Sequence, residues 1–161
     1  MAKEKNALKL LEADHDKVKD LFEQFEDAEK ENKKAEIARE AIEELKIHDA
    51  IEEEIFYPRV RQAIEEMDVM DEADEEHHMV RIAIAELDKM DRGDERFNAK
   101  FNVLSEMVRH HIKEEENEMF PQVKKSDIDL EALGEEMSSK KEDLKKNGIP
   151  PTKEQELVGS R

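Results

Sequence analysis

His48-Asp-Ala-Ile-Glu52-Glu-Glu-Ile-Phe-Tyr57-Pro58 returns 63 residues later as His111-Ile-Lys-Glu-Glu115-Glu-Asn-Glu-Met-Phe120-Pro121. In both copies a histidine is followed four residues on by a glutamate, then by a second glutamate and an aromatic-proline pair. Upstream, His15-x-x-Val18 returns as His77-x-x-Val80, 62 residues on. The chain therefore holds two copies of one unit, and such a repeat constrains the architecture before any local reading begins.

Each unit reads as a pair of helices. In the first segment Leu8, Leu11, His15, Val18, Phe22 and Phe25 follow the alternating three-and-four step of a helix seam. The second runs Ala38, Ala41, Leu45, His48, Glu52, Ile55, and the third Ala73, His77, Val80, Ile84, Leu87. The fourth runs Phe97, Phe101, Leu104, Val108, His111, Glu115, then Glu118 with Met119 beside it. The spacing predicts helices at about 5–29, 34–66, 71–91 and 94–125. Each carries a histidine on its apolar face. Gly and Pro number four each, none before Pro58, and the remaining composition favours helix over strand.

The midpoint of His15 and His48 falls at 31.5, inside the polar run Glu29-Lys-Glu-Asn-Lys-Lys34. That of His77 and His111 falls at 94, where Gly93 can end one helix and Asp94 can cap the next. Each histidine pair thus shares one level of its hairpin. The expected fold is all-α, an antiparallel up-down-up-down four-helix bundle built from two helical hairpins. The middle connection implies a bend after Pro58, with 59–67 crossing the end of the bundle. Ser126-Asp127 offers a cap for a fifth helix over about 127–146, carrying Leu130, Leu133, Met137 and Leu144. The whole reads as a single domain over 1–147, with 148–161 a flexible tail.

Composition alone leaves folding open. Charged residues are 45% of 161, against about 25% in an average soluble domain. Leu, Ile, Val and Phe number 36, near the line below which charged chains stay disordered. The seam pattern decides for folding. A net charge of −18 argues against nucleic acid and anionic membrane surfaces as partners. No apolar stretch approaches a membrane span of about 20 residues, and MAKEKNALKL carries no signal-like run, so a cytoplasmic location is expected. Without cysteine there is no disulfide, thiolate metal site or cysteine nucleophile.

A single histidine on an apolar helix face is more often core than ligand, and H-x-x-x-E alone is weak. With 31 glutamates, chance supplies about one match, and His110-x-x-x-Glu114 is another. The constellation is stronger. His15, His48, His77 and His111 fall on four seams at matched levels, and Glu52 and Glu115 occupy the next seam positions after two of them. Buried carboxylates need partners, and a metal gives all six residues one reason to converge. Six such donors exceed one tetrahedral zinc site. They suit two first-row metals sharing the carboxylates, iron first and manganese second.

The series His15, His48-x-x-x-Glu52, His77, His111-x-x-x-Glu115, each H-x-x-x-E followed by Glu and then by Tyr57-Pro58 or Phe120-Pro121, resembles the hemerythrin-like HHE cation-binding family over about residues 8–125. The resemblance implies a four-helix bundle around a non-heme di-iron centre. It assigns His15 and His48 to one iron, His77 and His111 to the other, and Glu52 and Glu115 to the bridges, beside an oxo, hydroxo or water bridge. It also implies dioxygen, hydrogen peroxide or a similar small oxidant as partner. One departure stands out. The oxygen carriers of this superfamily have a fifth histidine, as H-x-x-x-H on the third helix, whereas the positions one turn either side of His77 are Ala73 and Arg81.

His78 and His110 lie about 100° off the seam and read as supporting or surface groups. Glu53 and Glu116 match across the repeat and read as supporting groups or, with a shifted register, as replacements for Glu52 and Glu115. Tyr57 reads as packing, or as a hydrogen-bond donor to the site. With six protein ligands shared by two irons, open positions remain, which favours peroxide or oxygen chemistry, catalase-like or oxidase-like, over a reversible oxygen carrier or sensor. A ferritin-like carboxylate oxidase would instead draw on Glu12/His15 and Glu75/His78, leaving His48 and His111 idle.

Overall fold

The computed structural model describes residues 6–91 and 93–158. Among these every regular element is helical. Helix α1 (Ala7–Asp27) starts where the Asn6 carboxamide accepts the backbone N–H of Leu8 at 2.8 Å, and α2 (Glu31–Ile51) returns beside it. Glu52–Phe56 forms a π turn, α3 (Tyr57–Ala63) continues the helix, and α4 (Met67–Lys89) begins the second hairpin. Helix α5 (Phe97–Glu114), a second π turn (Glu115–Met119) and α6 (Phe120–Lys125) complete the four-helix bundle. Helix α7 (Leu130–Asn147) packs on α1 and α2, burying Leu133, Met137 and Leu144.

Both π turns stand just ahead of a proline. Pro58 and Pro121 lack an N–H, and their rings crowd the carbonyl four residues back. The wider turn absorbs the conflict: Tyr57 N–H bonds the Glu52 carbonyl and Phe120 N–H bonds the Glu115 carbonyl. The expected crossing segment 59–67 is not one piece. Residues 57–63 stay helical, and the extended Ile64 (φ −113°, ψ 158°) ends them. The third helix accordingly starts at 67 rather than 71.

Two caps differ from expectation. Asp94 accepts Arg96 N–H in a turn, and the next helix begins at Phe97, because the Asp94 carbonyl already takes the Phe97 N–H. Asp129, rather than Ser126-Asp127, caps α7, its carboxylate accepting Ala132 N–H at 3.1 Å.

The expected flexible tail is partly a packed element. Gly148, at φ 96°, takes the left-handed turn that frees the chain from α7, and α8 (Lys153–Val158) lies against α4. Its anchor is Glu154, 1% exposed, which accepts from His78 and pairs with Arg81. Residues 1–5 of the expected domain and 159–161 of the expected tail lie outside the described residues.

Candidate metal centre

The apolar interior is divided in two. One half holds Leu8, Leu11, Ile51, Phe56, Val60, Met70 and Phe120, and the other Val18, Phe22, Phe25, Leu45, Ile84, Phe101 and Leu104. Between them lies a polar layer. The seam that gives α1 its apolar face carries His15 at this level, and α2, α4 and α5 bring His48, His77 and His111 to it. The first residues of the two π turns, Glu52 and Glu115, are fully or almost fully buried there. All six residues singled out from the sequence meet in this layer.

They meet as two donor sets. His15, His48, Glu52 and Glu115 offer four atoms within 4.8 Å of one another, and so do Glu52, His77, His111 and Glu115. Both carboxylates belong to both sets. In the first, His15 Nε2 lies 3.1 Å from Glu115 Oε1 and His48 Nε2 lies 3.3 Å from Glu52 Oε1. In the second, His77 Nε2 lies 3.0 Å from Glu52 Oε1 and His111 Nε2 lies 3.4 Å from Glu115 Oε2.

Each imidazole is held from behind by a carboxylate. His48 Nδ1 bonds Asp14 at 3.0 Å and His111 Nδ1 bonds Glu76 at 2.6 Å. His15 Nδ1 bonds Glu116 at 2.6 Å and His77 Nδ1 bonds Asp49 at 2.7 Å. Asp14 and Glu76 are repeat mates, each reaching the histidine of the other helix in its own hairpin. Glu116 reaches across to the first hairpin. Its mate Glu53 approaches His77 Nδ1 at 3.3 Å, with Asp49 closer. With Nδ1 occupied, every Nε2 points into the layer, the arrangement that orients imidazoles for metal ligation.

Within the layer the charges of the protein's own groups pair among themselves. Burial pushes His48 down, but Glu52 and Asp14 outweigh it and hold the imidazolium up to about 10. Burial likewise opposes charge at His111, yet Glu115 and Glu76 lift it to about 9. His77 is lifted too, by Asp49, Glu52 and Glu53 against burial. Burial favours the neutral acid at Glu115, but His111 and His15 hold it well below the usual carboxylate range. Pairing is incomplete. His15 Nε2, His48 Nε2, Glu52 Oε2 and Glu115 Oε1 are buried without a hydrogen-bond partner. All four residues belong to the His15–His48 donor set, and orphaned buried atoms there are what a bound cation would satisfy, so the residues fit a metal.

The π turns also aim two aromatic rings. In an α-helix, five residues turn the chain by about 500°, carrying residue 57 about 140° away from 52. The π turn, with its five-residue hydrogen bond, brings Tyr57 onto the face of Glu52 instead. The buried Tyr57 hydroxyl lies within hydrogen-bond distance of Glu52, His77, His111 and Glu115. Burial, Glu115 and Glu52 push this phenol well above its usual value. Its mate Phe120 stacks on His15, ring centroids 6.1 Å apart.

Residues 6–123 match the family profile described as the hemerythrin HHE cation-binding domain. The chain belongs to that family. A solved structure of a hemerythrin HHE cation-binding domain-containing protein from Mycobacterium kansasii is similar to this HHE domain, with a TM-score of 0.72 and 26% identity, covering 89% of this chain and 94% of that one. A curated relative named DNA nickase, from Nostoc sp., is 26% identical over 119 residues. The match takes in 74% of this chain and 34% of that protein, so this HHE domain spans about a third of the nickase.

The off-seam histidines of the HHE domain face elsewhere. His78 bonds Glu154 at 2.6 Å, and the exposed His110 lies 3.2 Å from Glu114. Arg81, one turn on from His77, pairs with Asp49 and Glu154. The E-x-x-H alternative does not assemble, because Glu12 pairs with Lys9, Glu75 is exposed and His78 is committed to Glu154. Sequence reasoning missed Asp14, Asp49 and Glu76 as imidazole anchors. Their one signal was adjacency to a seam histidine, and for Asp14 and Glu76 the 62-residue repeat.

Proposed function

We propose that this HHE domain is a cytoplasmic di-iron protein that reacts with hydrogen peroxide or dioxygen. His15 and His48 would hold one iron, His77 and His111 the other, and Glu52 and Glu115 would bridge them. The observation that carries the reading is the pair of four-donor sets sharing both carboxylates. The donor chemistry, imidazole and carboxylate without thiolate, favours iron, with manganese second. Two iron ions, when bound, would supply Lewis acidity and a pair of redox centres to a small oxidant.

The protein's own residues set the size and orientation of what enters. A cavity of about 40 Å³ adjoins the four histidines, walled by Val18, Leu45, Val80, Val108 and Ile112. A single water needs roughly 10–15 Å³, so the space suits a molecule the size of dioxygen or peroxide. The apolar wall limits bulk water, while the carboxylates behind each Nδ1 fix the imidazoles and raise their basicity. The buried Tyr57 hydroxyl lies inside the layer and donates to Glu115 Oε2 at 2.5 Å.

A nucleic-acid role does not follow from the likeness to the nickase, since a net charge of −18 repels phosphate. Among the described residues no helix is long and apolar enough to cross a membrane. The test is to mix iron-loaded protein with hydrogen peroxide and follow oxygen evolution, with His111→Ala beside it. Evolution lost in the variant supports the reading. A stable adduct that releases intact dioxygen under vacuum, with no peroxide turnover, makes the protein a carrier instead.

A further inference from the structure

We propose that the Tyr57 phenol oxygen is a ligand of the metal held by His77 and His111, so that this half of the centre has five protein donors and the His15–His48 half has four. The inference rests on the di-metal reading and adds a residue to it. The hydroxyl lies 3.1 Å from His77 Nε2, 3.2 Å from His111 Nε2, 3.3 Å from Glu52 Oε1 and 2.5 Å from Glu115 Oε2. His77 Nε2 in turn lies 3.1 Å from His111 Nε2 and 3.0 Å from Glu52 Oε1, and His111 Nε2 lies 3.4 Å from Glu115 Oε2.

Apart from the short bond to Glu115, these separations match those that an octahedral ion would impose on neighbouring donors. An ion with bonds of about 2.1 Å keeps neighbouring donors about 3 Å apart, because the edge is √2 times the bond. One oxygen adjacent to four candidate donors stands where a further ligand of the same ion would stand. A phenol acting only as a hydrogen-bond donor has one proton to give, and Glu115 Oε2 accepts it. That bond alone does not require the oxygen to sit beside both imidazoles and Glu52 as well.

The repeat supplies the contrast. Phe120 follows the same π turn in the other copy and stacks on His15, but its ring offers no donor. On that side neither His15 Nε2 nor His48 Nε2 makes a hydrogen bond. Two halves built on the same helix, π turn and helix order therefore differ by one oxygen atom, and the small oxidant is directed to the less saturated His15–His48 side. Ligation costs the phenol its proton, which goes to solvent as its oxygen takes the metal, with no change in oxidation state.

The experiment loads the full chain with ferric iron and records visible absorption and resonance Raman spectra beside the iron-to-protein ratio. A tyrosinate-to-iron charge-transfer band with enhanced tyrosine ring modes is expected. The chain has a single tyrosine, so such a signal has one source. Tyr57→Phe should abolish the band and keep its iron. Should that variant fail to hold iron, the wild-type spectrum alone decides. Wild-type protein with its full iron complement and no tyrosinate modes would overturn the assignment and leave the di-metal reading standing. Wild-type protein that retains no iron would overturn both.

Discussion

Metal-free protein should lose stability steeply as the pH rises from about 7 to about 9. His48 is held up to about 10 and His111 to about 9 in the folded chain, while both return to about 6.5 on unfolding. Between those limits the folded state carries roughly two more protons than the unfolded one. Each excess proton makes unfolding easier by about 1.4 kcal/mol per pH unit, so the pair gives a slope of about 2–3 kcal/mol per unit. The sign follows from a raised folded value: the stabilisation is complete below about 6.5 and is lost as pH climbs through 9 to 10. His77, lifted in the same direction, steepens the fall. Glu115 acts oppositely, its depressed value giving stability above about 4.5 that disappears on acidification.

Metal ligation removes this slope, because bound imidazoles are neutral and the folded state then carries no excess of protons. The assay is urea unfolding followed by far-ultraviolet circular dichroism, at several pH values, on chelated and iron-loaded samples. A total stability of about 5–15 kcal/mol makes a drop of several kcal/mol easy to resolve. Chelated protein equally stable at both ends of this range would refute the ion-paired layer.

Two further outcomes test the frame around the site. Phe101, fully buried and packed on Phe22 and Phe25 with centroids at 5.7 and 4.4 Å, should cost about 3–5 kcal/mol on truncation to Ala, read as a fall in Tm. A fall of less than about 1 kcal/mol would mean that this half of the interior collapses to fill the gap. Glu154→Ala removes the anchor of α8 from His78 and Arg81 and should cost about 1–3 kcal/mol locally. Limited proteolysis should then cut within 149–158 while 7–147 survives; unchanged protection would show that Glu154 does not hold the helix.

Much of this was legible because the seam arithmetic needs only burial. His15, His48, His77 and His111 stood where an aliphatic residue belongs, and Glu52 and Glu115 stood one turn beyond two of them. Asp14, Asp49 and Glu76 were not legible, since 45 of 161 residues are acidic and adjacency to a histidine carries little weight in such a chain. Tyr57 was legible as a possible donor to the site, but its place on the face of Glu52 was not, because a regular α-helix turns it away; Pro58 marked the disturbance without saying that a π turn would resolve it. Helix α8 was hidden because a six-residue polar segment has no apolar period, and its anchor is a buried glutamate. In each case a side chain broke the pattern for the sake of the polar layer or its surroundings.

The most direct test is the iron-to-protein ratio after loading with ferrous iron and desalting, measured on the wild type and on Glu115→Ala. Because Glu115 belongs to both donor sets, the account predicts two irons per wild-type chain and the loss of both in the variant. A wild-type ratio of one, or a variant that keeps either iron at full occupancy, would contradict the shared-carboxylate centre.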